Sequence, residues 1–134
     1  VQEALAAVTT HDLFTVAGLW SGKDFADQQK IGLQPNAAGT EAIRRQLQRR
    51  AGLGKSALPR EAVLGAHRLL ARSPCRLLTA TLDDALAVEE RPNMPGTTTQ
   101  WPNWCIALPK SLEEIQRDKF VRKVFQAIAG KRRA

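Results

Sequence analysis

PREAVLGAHRLLARSPCRLLTATLDD, residues 59–84, decides the architecture. Pro59 falls in the first turn of a helix, where its missing N–H costs nothing. Val63, Leu64, His67 and Leu70 then recur at helical spacing until Ser73-Pro74 stops the element. Residues 76–82, RLLTATL, are β-compatible and follow within a few positions, with Asp83-Asp84 marking their end. Helix, short turn, strand is the rhythm of a parallel α/β sheet.

Upstream, Leu5-Ala6-Ala7-Val8-Thr9-Thr10 is a short apolar run with a polar end. It predicts a buried strand within residues 1–12 whose C-terminal end delivers His11 and Asp12. Residues 13–75 read as helices: an apolar segment from Val16 to Trp20 broken at Ser21-Gly22, and a helix from Asp24 to Leu33. A further helix, capped by Thr40 and running to Arg50, carries Ile43 and Leu47 on its buried stripe and closes at Gly52 and Gly54. Residues 89–110 hold four of the seven prolines and form a loop, anchored by Met94, Trp101 and Trp104. Ser111 and Glu114 make a capping box for a C-terminal helix over 111–130, striped by Val121, Val124, Phe125 and Ile128. The expectation is an α/β chain, predominantly helical, with two short parallel strands. Two such strands cannot make a sheet covered on both faces, so this part of a sheet needs partners.

Bulk properties narrow the classes. At 134 residues the chain supports one domain, whereas a complete (β/α)8 barrel needs ~250. Hydrophobic residues at 43% and charged residues at 25% describe a folded globular protein. Cys75 and Cys105 make neither a metal-ligand spacing nor a disulfide framework, so no metal and no cofactor are expected, and a cytoplasmic setting fits. No apolar run approaches the ~20 residues that span a bilayer, so no membrane partner is expected. The start, VQEALAAVTTHD, has no basic segment before its apolar stretch and no initiator Met; it reads as a sequence entered in mid-fold. The net charge of +7 raises a small basic nucleic-acid-binding domain as an alternative. Its distribution argues otherwise. Arg44, Arg45, Arg49 and Arg50 share one helix, and Lys131, Arg132 and Arg133 form a tail, with no interleaved aromatics to stack bases. No nucleic-acid partner is expected.

Two motifs carry the chemistry. Thr10-His11-Asp12 opens THDLFTVAGLW, and NMPGTTTQWPNW runs from Asn93 to Trp104. Each groups polar side chains suited to sugar hydroxyls with tryptophan, and they lie about 80 residues apart, two βα units in a barrel count.

At these motifs the chain resembles the amylomaltases, or disproportionating enzymes, which are 4-α-glucanotransferases. The matching stretches are THDLFTVAGLW (10–20), KIGLQP (30–35), ALPREAVLGAHRLLARSPCRLL (57–78), LDDALAVEERPNMPGTTTQWPNW (82–104) and LPKSLEEI (108–115), in the family's order and spacing. The resemblance implies the C-terminal segment of a (β/α)8 (TIM) barrel, about its last two βα units, in a retaining transglycosylase acting on α-1,4-glucans. In such enzymes one carboxylate forms a glycosyl-enzyme and a second protonates the leaving oxygen. Both lie upstream of the THD motif in the family, so the chain alone is expected to be inactive and to need the upstream part of the same barrel. The third carboxylate, which grips ring hydroxyls in the transition state, maps onto Asp12, with His11 beside it. Asn93 matches the family's NxPGT position, and Trp101 or Trp104 is expected to wall the glucan groove. Phe14 and Cys105 depart from the family, which usually has a small or proline-like residue at the first and arginine at the second. A degenerate relative that only binds glucan is the alternative within this reading. Among the remaining residues, His67 is expected as a core or boundary histidine rather than a ligand, Trp20 against a barrel exterior, Cys75 as a buried thiol and Cys105 as a packing residue.

Overall fold

A computed structural model of the chain describes residues 2–129, so the expected Lys131-Arg132-Arg133 tail lies outside the described residues. The elements are β1 (Leu5–Ala7), α1 (Val16–Ser21), α2 (Lys23–Lys30), α3 (Ala37–Ala51), α4 (Pro59–Leu70), β2 (Leu77–Thr79), α5 (Leu82–Ala85), α6 (Leu112–Arg117) and α7 (Lys119–Ala129). β1 and β2 pair in parallel, Leu5 opposite Leu77 and Ala7 opposite Thr79. Four helices make the crossover between them, as the alternation predicts.

Both strands are shorter than expected, and polar side chains set their ends. Thr9 is buried and donates its hydroxyl to the Asp84 carboxylate, which takes the chain out of the extended ladder. Thr81, expected inside the second strand, instead N-caps α5 by accepting the Asp84 N–H at 3.1 Å. A threonine hydroxyl that captures a backbone N–H ends a strand as firmly as it starts a helix. Nor are the strands buried here: Leu5 is 58% and Leu77 62% exposed, because two strands leave the sheet uncovered.

The core is helical. Val16, Ala17 and Trp20 of α1 join Ala62, Val63 and Ala66 of α4, with Val121 and Val124 of α7 closing the cluster. α1 starts where the Thr15 hydroxyl accepts the Gly18 N–H at 3.0 Å and stops at Gly22, whose left-handed φ of +82° favours glycine. Gly18 is required by close approach: a Cβ there would stand 2.2 Å from the Glu89 carbonyl oxygen. Trp20 is buried and its Nε1 donates to the Ala57 carbonyl at 2.6 Å. His67 is fully buried on the α4 stripe, its Nδ1 2.8 Å from the Val63 carbonyl oxygen.

Two helix boundaries named from the pattern lie elsewhere in the structure. α2 ends at Lys30 rather than Leu33, because Gly32 turns left-handed (φ +84°) and Leu33 N–H reaches back to Gln28 O. α3 begins before Thr40, since the Asn36 side-chain oxygen accepts the Gly39 N–H at 2.8 Å. No residue of α3 is fully buried: of the expected stripe, Leu47 is partly buried against the core while Ile43 is exposed.

The expected C-terminal helix is two helices, broken at Asp118 (ψ 120°). Ser111 and Glu114 form the reciprocal box on α6. The Asp118 carboxylate accepts the Phe120 and Val121 N–H groups at 2.6 and 3.2 Å and an ammonium bond from Lys110. That ammonium is the main reason the Asp118 carboxyl is pulled down to about 2, with the helix N–H groups adding to it. A depressed folded-state pKa stabilises above the ordinary carboxylate range and is lost as pH falls through about 2. Asp118→Ala is therefore expected to cost about 1 kcal/mol at neutral pH. Urea titrations should show the gap to wild type closing as pH approaches 2; a gap that persists there would remove the carboxylate as its cause. On α7, Val121 and Val124 are buried, but Phe125 is 43% exposed beside the open sheet.

Candidate functional site

One motif-bearing loop leaves the C-terminal end of β1, the other follows β2 and the short α5, and the two meet. The first carries His11 and Asp12, with a backbone turn from Leu13 N–H to Thr10 O at 3.1 Å. The second is folded on itself over buried Met94. Trp104 N–H donates to Pro92 O at 2.9 Å, closing the loop at its neck. Asn103 braces its inside, accepting the Met94 N–H at 2.7 Å and donating to Thr97 Oγ1 at 2.8 Å. Trp101 donates its indole N–H to the Arg91 carbonyl at 3.0 Å. Arg91 itself is buried and forked onto Asp24 of α2, at 2.5 and 2.8 Å.

Between the loops, Asn93 Nδ2 donates to Asp12 Oδ1 at 2.7 Å. His11 Nε2 lies 3.3 Å from Asp12 Oδ2. The Trp104 ring packs on His11 at 5.1 Å between centroids, tilted by 49°. The structure thus gathers His11, Asp12, Asn93 and Trp104 into one cluster, while Trp101 makes its hydrogen bond at the foot of the loop. Trp104 reaches this position with φ +62°, a left-handed backbone that a bulky residue adopts only when its surroundings impose it.

The cluster is open to solvent: the His11 and Asp12 side chains are both more than half exposed. It offers a carboxylate, an amide that both donates and accepts, an imidazole and an exposed indole face. Those groups match a polyhydroxylated molecule, whose hydroxyls need acceptors and donors and whose C–H faces pack on aromatics. Among the described residues no three His, Cys, Asp or Glu side chains are grouped to hold a metal ion. Among them, too, no helix is long and apolar enough to cross a membrane.

Sequence reasoning missed three supporting residues. Asp24 and Arg91 look like ordinary surface charges in the sequence, and Asp84 looks like the polar end of a strand. Only a buried carboxylate with two partners reveals that role: Asp84 accepts from Thr9 Oγ1 and, at 2.7 Å, from Val16 N–H. Cys105, expected to pack, is exposed, and Cys75, which sits in the turn between α4 and β2, is only half-buried.

A family model described as 4-alpha-glucanotransferase matches residues 1–112. The 4-alpha-glucanotransferases of Mycobacterium bovis and Mycobacterium tuberculosis are 35% identical over 141 aligned residues, covering 92% of this chain and 20% of each relative. The crystal structure of amylomaltase from Corynebacterium glutamicum superposes with a TM-score of 0.77 at 28% identity, over 95% of this chain and 22% of that one. The chain spans about a fifth of the length of the relatives it matches.

Proposed function

Since this chain belongs to the 4-alpha-glucanotransferase family, we propose that it forms the C-terminal part of a (β/α)8 barrel that moves α-1,4-glucan segments between maltooligosaccharides with retention. β1 and β2 serve as strands seven and eight, and the exposed Leu5, Leu77 and Phe125 face the upstream part of the same barrel. The nucleophile and the general acid come from that upstream part. The nucleophile displaces the glycosidic oxygen at the anomeric carbon, and the acid protonates the oxygen as it leaves. An acceptor hydroxyl then attacks the glycosyl-enzyme and returns its proton to the same residue.

The role of this chain is to hold the transferred sugar. Asp12 accepts bonds from adjacent ring hydroxyls, which strengthen as the ring flattens and gains positive charge. Asn93 orients that carboxylate and contributes a further sugar contact, His11 donates another, and Trp104 forms a wall of the groove. Trp101 anchors the loop that presents them. The observation that carries this reading is the Asp12–Asn93 bond, made between two strand-end loops across 81 residues.

The test is incubation of the full-length protein with maltotriose. Glucose and longer maltooligosaccharides should appear together, without a net rise in reducing ends. Net hydrolysis, or no change in chain lengths, would remove the reading.

A further inference from the structure

We infer that Asp84 is a positioning residue for Asp12: its buried carboxylate braces both ends of the segment that carries the His11-Asp12 pair. Thr9, three residues before Asp12, donates its hydroxyl to one oxygen of Asp84. Val16, four residues after Asp12, donates its backbone N–H to the other at 2.7 Å. The carboxylate is fully buried, so each bond acts in a low-dielectric setting and neither partner can exchange it for water.

Its own place is equally fixed. Asp84 lies in the first turn of α5, where Thr81 accepts its N–H at 3.1 Å directly after β2. Residues leading into the Asn93 loop follow within a few positions. Asp84 therefore ties the segment bearing Asp12 to the element that leads into the loop bearing Asn93. A residue needed only for packing would be apolar here, because burying a carboxylate costs several kcal/mol unless its bonds are met. Its two acceptors, aimed at opposite flanks of one exposed segment, give that cost a purpose.

The inference rests on the proposed transfer reaction, and the test separates the two. Asp84→Asn and the milder Thr9→Val are made in the full-length protein. Two readouts are taken: kcat and KM for maltotriose disproportionation, and the NMR signals of the His11 ring, identified by their disappearance in His11→Gln. Displacing a gripping carboxylate by about 1 Å costs on the order of 100-fold in rate, so kcat should fall by that order in Asp84→Asn with KM little changed. The His11 signals should leave the ring-current position set by Trp104, while those of core His67 stay. Thr9→Val should show the same changes to a smaller degree, and decides the matter if Asp84→Asn does not fold. Unchanged His11 signals and kcat in a variant that merely melts earlier would overturn the inference. Should the wild type transfer no glucan while the His11 signals still move, the brace stands and the reaction assignment falls.

Discussion

Asp12→Ala in the full-length protein is expected to lower kcat/KM for glucan transfer on the order of 1000-fold while leaving thermal stability almost unchanged. The rate estimate comes from two charge-assisted hydrogen bonds to ring hydroxyls, each worth about 2 kcal/mol, which together approach three decades. The stability estimate comes from exposure: more than half of the Asp12 side chain is in solvent, and its bond to Asn93 is a surface bond. Asp12→Asn keeps the shape and one acceptor but loses the charge, so it should fall between. Asn93→Ala removes a single neutral bond and should cost about tenfold. Initial rates on maltotriose, paired with melting curves, check the series. If Asp12→Ala kept wild-type turnover, the carboxylate would have no role in gripping the transferred sugar.

Arg91→Met is expected to give the largest loss of stability, about 3–5 kcal/mol, because it leaves Asp24 buried without its partner cation. Among the described residues, the Asp24 carboxylate would retain the side-chain bond from the Gln28 amide, at 2.8 Å. Adding Asp24→Leu should recover much of the loss, since two apolar groups can replace a buried pair without an orphaned charge. Urea denaturation of the two single variants and the double variant closes the cycle. A loss below about 1 kcal/mol in Arg91→Met would show that the pair behaves like a surface ion pair. The consequence extends to the site, because the Arg91 carbonyl receives Trp101 and its chain neighbour Pro92 receives Trp104. Freeing that neck would release Asn93 from Asp12.

The features legible in the sequence share one property: their cause lies within a few residues. Pro59 at a helix start, the Ser111–Glu114 box and the burial of His67 at the spacing of its neighbours all follow from the geometry of one helical turn. The THD and NMPGT motifs named the family for the same reason, as contiguous strings. Boundaries were less legible. Thr81 and Asn36 are as compatible with strand and turn as with caps, and the choice depends on which N–H groups the fold brings to them.

What the sequence by itself determined, then, is the alternation of helices with two parallel strands, the family, and the polar residues offered at the strand ends. The tertiary structure alone decided that Asp12 meets Asn93, that Trp104 rather than Trp101 packs on His11, and that Asp24 and Asp84 are buried struts. Those contacts join residues separated by 67 to 81 positions in the pairs Asp24–Arg91, Val16–Asp84, Thr9–Asp84 and Asn93–Asp12. At such separations no backbone period links the partners. For Asp24 and Asp84 the pairing is set by burial, which makes an unmet charge too costly and so forces each carboxylate onto whichever donors the packed helices deliver; the exposed Asp12–Asn93 bond follows from where the fold places their two loops.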